Sequence, residues 1–151
     1  MNIMRLKNFL FTIIVVSAVT AFVACSNDDN DTMVQVRVNG TVLFDDGDDF
    51  NGDVDGDFEG NGGSATRTFV WQNNLSRADY NADITATAGG SFNMVVRDAD
   101  GETVLDRSLN GATEPDSFSG VTSAGTSGIW SVTITLTSFN GDGSFSLSEG
   151  D

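Results

Sequence analysis

Residues 32–151 predict an all-β fold: a single antiparallel β-sandwich, jelly-roll-like, behind a cleaved N-terminal signal helix. Three observations carry this. Apolar and polar residues alternate through several short runs, most clearly Trp130, Val132, Ile134 and Leu136 against Ser131, Thr133, Thr135 and Thr137, the period of a half-buried strand. Turn signals rich in Gly, Asn and Asp recur about every 8–12 residues, the spacing of sandwich strands. No helical period appears after residue 31, so the layers must be sheets.

Taken in order, the chain opens with Arg5 and Lys7 ahead of an apolar run, Phe9 to Val23, broken by Thr12, Ser17 and Thr20. The run is shorter than the ~20 residues of a spanning helix. A basic head, a short apolar run and small residues before a cut site read as a secretory signal, residues 1–24. Cys25 is the only cysteine, and a single thiol in an exported chain has no internal disulfide partner. Phe22-Val23-Ala24-Cys25 resembles a bacterial lipobox, with Phe22 in place of the leucine usual three places before the cysteine. The resemblance implies cleavage before Cys25 and lipid on its sulfur, holding the protein at the membrane. Two or three chains at ~0.8 kcal/mol per buried CH₂ hold firmly where one does not. Ser26 to Asp31 is polar and acidic, so residues 25–31 read as a solvated tether. The same stretch is similar to the acidic export tag of surface-displayed Bacteroidota lipoproteins, which implies an outer-membrane or cell-surface location.

Without residues 1–24, five arginines stand against 22 Asp and Glu, a formal charge of −17. That field excludes nucleic acid as a partner and leaves membrane attachment to the lipid. There is no histidine, and no lysine beyond Lys7. The commonest general base, nucleophile pairs built on histidine, Schiff-base chemistry and ordinary zinc or copper sites are therefore absent. No catalytic residue can be assigned, and a carboxylate pair is the one common device left.

In the domain, Val34, Val36 and Val38 form one strand face, and Asn39-Gly40 gives a hairpin turn into Thr41 to Phe44. Asp45 to Gly63 is mostly Asp, Glu, Gly and Asn and reads as a long loop, with Phe50 and Phe58 either stapling it down or exposed for a partner. Within it, Asn51, Asp53, Asp55 and Asp57 have the spacing of oxygen ligands around calcium, with Gly56 at the turn, whereas position twelve is Gly62 and not a bidentate Glu. A solvated acid run explains the same composition. Ala65, Phe69 and Trp71 alternate inward. Tyr80, Ala82, Ile84, Ala86 and Ala88 face one side of the next strand. Phe92, Met94 and Val96 begin another, turned at Asp98-Ala99-Asp100-Gly101 into Thr103 to Leu109. Phe118 and Val121 mark a short strand. Asn140-Gly141-Asp142-Gly143 is expected to turn the Trp130 strand into a return strand carrying Phe145 and Leu147. Gly128 to Val132 followed by Gly143 to Leu147 resembles the last hairpin of pre-peptidase C-terminal and P-domain-like sandwiches.

Trp71, Tyr80 and Trp130 could stack on sugar rings, but their inward register places both tryptophans in the core. Two functions remain open. One is a non-catalytic envelope module binding a glycan or an envelope protein. The other is a small hydrolase of polysaccharide with two acids ~5–9.5 Å apart across a cleft. If Cys25 carries the lipid, a fatty-acid analogue fed to cells labels the wild type and leaves Cys25→Ser unlabelled. Equal labelling of the two would refute the anchor.

Overall fold

The computed structural model describes residues 32–85 and 87–150. The expected signal segment and tether, Cys25 and Ala86 lie outside the described residues. Nine strands are present among those described: β1 Val34–Val38, β2 Thr41–Val42, β3 Asp48–Phe50, β4 Val54–Asn73, β5 Arg77–Ile84, β6 Gly89–Arg97, β7 Thr103–Asn110, β8 Ser117–Val121 and β9 Gly128–Gly150. All pairings are antiparallel except β3 with β4, which is parallel.

Two strands organise the rest. β4 and β9 pair along nearly their whole length, from Val54↔Leu147 to Asn73↔Gly128. The first half of β4 pairs with β1, and the second half of β9 with β5, giving a layer β2-β1-β4-β9-β5-β8. The second half of β4 pairs with β3, and the first half of β9 with β6, giving a layer β3-β4-β9-β6-β7. Phe58, from the first layer, stacks on Phe92 of the second at 4.7 Å and 9°, so the two layers face each other as a sandwich.

The long strands change layer at a crease. β4 slips register between Asn61 and Gly63 and again between Gly63 and Ala65. Directly across it, Ser138 of β9 has φ 46°, and β6 slips between Gly89 and Ser91. Bulges and glycines let a strand bend from one sheet to the other. Gly90 shows why no side chain fits there: its φ is +77°, and a Cβ would sit 2.3 Å from the carbonyls of Thr137 and Ser138. The bulge also switches parity. Inward residues of β4 are even-numbered before it (Val54, Gly56, Phe58) and odd after it (Phe69, Trp71). On β9, Trp130 to Leu136 give way to Phe139, Phe145 and Leu147.

This overturns the long acidic loop over 45–63. β3 and the first third of β4 occupy much of it, and Phe58 is 1% exposed at the centre of an aromatic cluster with Phe92, Phe139 and Phe145. Phe50 packs edge-on against Phe69 at 5.5 Å. Period two was present all along, with Asp55, Asp57 and Glu59 outward and glycine taking alternate inward places. Those glycines are core residues: Gly56 pairs with Phe145, and Gly143 with Phe58. A Cβ on Gly56 would lie 2.2 Å from the Phe145 ring, and one on Gly143 2.4 Å from the Phe58 ring and from the Asp83 carbonyl. Each ring covers the glycine opposite it. For the same reason Asn140 to Gly143 is not a turn, and β9 runs straight through it.

The other expectations were closer. Asn39 and Gly40, with φ 50° and 79°, make the tight hairpin between β1 and β2, as a type I′ turn requires. β5 stops at Ile84, short of the Ala88 expected, and Ala88 packs in the core from a loop. β8 forms around a buried Phe118. Trp71 and Trp130 are cross-strand partners, both 0% exposed and edge-on at 6.1 Å. Their indole N–H groups donate to the carbonyls of Gly52 and Thr126, each at 2.7 Å, so both are core residues and not a sugar platform. Gly143→Ala should destabilise by about 1–3 kcal/mol, the range for overpacking a closed core. An unchanged urea midpoint would refute the ring-over-glycine packing.

Candidate functional site

The first layer turns one polar face outward. Row by row it carries Gln35, Glu59 and Asp142, then Arg37, Asp57, Ser144 and Asp83, then Asp55, Ser146 and Asn81. Arg37 of β1 is bonded to both neighbouring acids, its Nη1 donating to Asp57 at 2.8 Å and its Nη2 to Glu59 at 3.0 Å. Nη2 also donates to Gln35. Bonding to Asp57 first, then to Glu59, pushes the guanidinium pKa up. Ser144 donates to Asp83 at 2.7 Å.

At the crease end of this face an open groove with a volume of about 490 Å³ is lined by Met33, Gln35, Glu59, Asn61, Asn140 and Asp142, with Gly60 and Gly141 between them. Its construction is symmetrical. Glu59-Gly60-Asn61 on β4 pairs antiparallel with Asp142-Gly141-Asn140 on β9, so acid faces acid, glycine faces glycine and amide faces amide. Alternation turns the acids and amides outward, and the bare glycine backbone leaves room between them. Close packing demands those glycines: a Cβ at Gly60 would lie 2.6 Å from the Phe139 carbonyl, and one at Gly141 2.9 Å from Ala88. Asn61 accepts from the Met33 N–H at 2.5 Å, which ties the chain before β1 to the rim.

Chemically the groove offers carboxylate acceptors and amides that both donate and accept. Its two acids are cross-strand neighbours on one face, with Cβ atoms about 4.5–5.5 Å apart as in any such pair. Substrate cannot pass between them as it does between the facing acids of a glycosidase cleft. Glu59 is also engaged by the Arg37 guanidinium at 3.0 Å. None of the lining side chains is aromatic.

The expected calcium ligands are not gathered. Asp55 and Asp57 point outward from one extended strand, where same-face neighbours stand about 6.5–7 Å apart, and Asp57 is committed to Arg37. Asn51 and Asp53 lie before the strand begins. Among the described residues no group of three or more His, Cys, Asp or Glu could hold a metal ion. Sharp turning at Gly56, which such a wrap needs, is replaced by strand pairing with Phe145. At the other Asp-x-Asp-Gly, the hairpin turn expected between β6 and β7 is what forms. Asp98 accepts from the backbone N–H groups of Thr126 and Glu102, each at 2.8 Å, and of Asp100 at 3.1 Å. The bond from Thr126 is the main cause that holds its carboxyl below the ordinary range, with Glu102 and Asp100 adding to it against an opposing push from burial.

Of the groove residues, Glu59 stands in the sequence only as part of an acid run, and Asn140 to Gly143 has the composition of a turn. The readable signal was the mirrored pair Glu-Gly-Asn and Asn-Gly-Asp, one on each long strand.

No protein-family model matches the chain, and no curated protein matches it in sequence. Solved structures that resemble it include the pre-peptidase C-terminal domain of a collagenase from Bacillus anthracis, at 13% identity and a TM-score of 0.40 over 70% of this chain and 95% of that one. TmCBM61, solved with β-1,4-galactotriose, matches at 10% identity and a TM-score of 0.37, over 80% of this chain and 90% of that one. A CBM4 matches at 8% identity and a TM-score of 0.38, over 83% and 90%. At these scores the likeness carries no argument about ligand or activity.

The lowered Asp98 pKa has a direct consequence for stability. A carboxyl whose folded pKa is depressed stabilises above its unfolded value, about 3.9, and loses that contribution as pH falls through the folded value. Wild type should therefore exceed Asp98→Asn in melting temperature near neutrality, and the gap should close on acidification below pH ~4. A gap unchanged into strong acid would mean that the charge is irrelevant to the turn.

Proposed function

We propose that this protein is a lipid-anchored, non-catalytic binding module of the cell envelope, displayed at the surface, that takes a neutral glycan in the groove between Glu59-Gly60-Asn61 and Asn140-Gly141-Asp142. The observation that carries the reading is the groove itself: paired amides and acids over a glycine floor, on a strand pair that the core holds rigid. Sugar hydroxyls both donate and accept, and an amide answers either role while a carboxylate accepts twice. The negative face disfavours uronic acids and phosphates. Met33, 64% exposed at the rim, offers the one apolar contact for a ring face. Location at the outer membrane rests on the signal, Cys25 and the tether of the sequence. Calcium has no part in this reading. A hydrolase finds no support in side-by-side acids, one of them tied to arginine.

Titration of the soluble domain with a panel of neutral oligosaccharides, followed by NMR shifts at Asn61 and Asn140, tests it. Dissociation constants near 1 mM correspond to about −4.1 kcal/mol, a reasonable scale for a few exposed hydrogen bonds. Asn140→Ala with Asp142→Ala should weaken binding by about tenfold or more, roughly 1.4 kcal/mol, at an unchanged melting temperature. Binding that survives both substitutions, or shifts confined to another face, would place the ligand elsewhere.

A further inference from the structure

Five Asn-Gly dipeptides occur in the chain, at Asn39, Asn51, Asn61, Asn110 and Asn140. Asn-Gly is the dipeptide most open to spontaneous deamidation, because glycine leaves the next backbone nitrogen unshielded. The reaction is intramolecular. The backbone nitrogen of the glycine attacks the side-chain carbonyl carbon of the asparagine and gives up its proton to solvent. The bond from that carbon to the side-chain nitrogen breaks, and ammonia leaves. Water then opens the succinimide at either carbonyl, giving aspartate or isoaspartate. To begin, the nitrogen must swing over the side chain, which an extended strand backbone with ψ near +135° forbids.

We infer that the fold protects four of these sites and leaves Asn51 as a deamidation site of the native protein. Asn61 and Asn140 are opposite each other in the β4–β9 ladder, and Asn140 is also paired with Gly89 on its other side. Asn61 is further held by the Met33 N–H. Asn110 ends β7 opposite Ser91, and its attacking nitrogen, that of Gly111, already donates to the Gly90 carbonyl at 2.8 Å. Asn39 sits in a tight turn, yet both ends of its amide are engaged: Oδ1 accepts from the Asp55 N–H at 2.8 Å, and Nδ2 donates to the Asp53 carbonyl at 3.2 Å.

Asn51 differs from the three strand sites in lying outside the ladder, and from Asn39 in that no hydrogen bond holds its amide. It lies in the link between β3 and β4, outside both strands, and is exposed together with Gly52 and Asp53. Its side chain makes no hydrogen bond to any described residue. Gly52 has φ +77°, a conformation open to glycine and awkward for other residues. The product places a new carboxylate between Asp49 and Asp53. In its iso form it also adds a backbone carbon to the link whose Gly52 carbonyl receives the Trp71 indole N–H.

The test is peptide mapping by mass spectrometry of the soluble domain, aged in mildly alkaline buffer with and without unfolding urea. Deamidation is read as the mass gain of roughly one dalton that this modification brings, and isoaspartate by its separate elution. In the native arm Asn51 should convert at least about tenfold faster than the other four, whose reaction waits on local opening of the ladder or, at Asn39, of the hydrogen-bonded turn. In urea the five should convert at comparable rates. The inference fails if any other site keeps pace with Asn51 in the native arm. It fails equally if Asn51 stays intact there over a period that converts it in urea.

Discussion

The pairing of β4 with β9 is the constraint from which the rest of the structure follows. Each strand belongs to both layers, so each must bend, and two paired strands can bend only at the same level. That requirement sets the crease at Gly62-Gly63 opposite Ser138, and it extends to the neighbouring β6 at Gly90. At Gly90 glycine is needed by geometry, because a Cβ would meet the Thr137 and Ser138 carbonyls at 2.3 Å, and at Gly63 a Cβ would meet the Thr32 carbonyl at 3.0 Å. The groove is a by-product of the same bend. Where the ladder approaches the crease, Gly60 faces Gly141, and the outward acids and amides on either side of them lose their nearest cover.

Charge then decides what such a face can meet. Asp55, Asp57, Glu59, Asp79, Asp83 and Asp142 are all exposed on the outer side of the first layer, with Arg37 bonded between two of them. Exposed ion pairs of this kind add little stability, so the acids are better understood through the field they create. That field repels anions over about a Debye length, ~8–10 Å at physiological salt. A neutral polyol, or a cation-bearing ligand, approaches without that barrier.

Much of this architecture could be read from residues alone, and the exceptions have one cause. The Trp130 strand, the Asn39-Gly40 hairpin and the β6–β7 turn announce themselves because large apolar residues keep period two and turn residues stand alone. From Val54 to Gly60 the same period is kept, but Gly56 and Gly60 occupy inward places where a reader looks for Val or Phe. Glycine by itself signals a turn. Here its partner across the sheet supplies the missing volume, and that partner is some ninety residues away in the chain (Gly56↔Phe145). Nothing local reveals such a pairing. Asn140 to Gly143 was misread as a turn for the same reason, since Phe58 fills the space that Gly143 leaves. The groove was illegible with it, because both its walls lay in segments taken for loop or turn. The calcium spacing was likewise a property of the sequence that strand geometry pulls apart.

That exchange of glycine for phenylalanine across the ladder also shapes how this protein can bind. Phe58, Phe69, Phe92, Phe139 and Phe145, with both tryptophans, are all at most 1% exposed. The aromatics that might have made a stacking platform are enclosed by the glycines that make room for them. Phe44, 76% exposed, stands outside strands β2 and β3 and does not line the groove. Recognition at the groove must then come from hydrogen bonds that compete with water, each worth only about 0.5–1.5 kcal/mol net. A single domain built this way binds weakly. Many copies held by lipid on one surface against a repeating polysaccharide would bind through effective concentration, gaining 10²–10⁴-fold without a new contact, an order-of-magnitude range for linked sites. In the function proposed above, anchor and polar groove would belong to one mode of binding, in which a membrane supplies the valency that the aromatic-free site lacks.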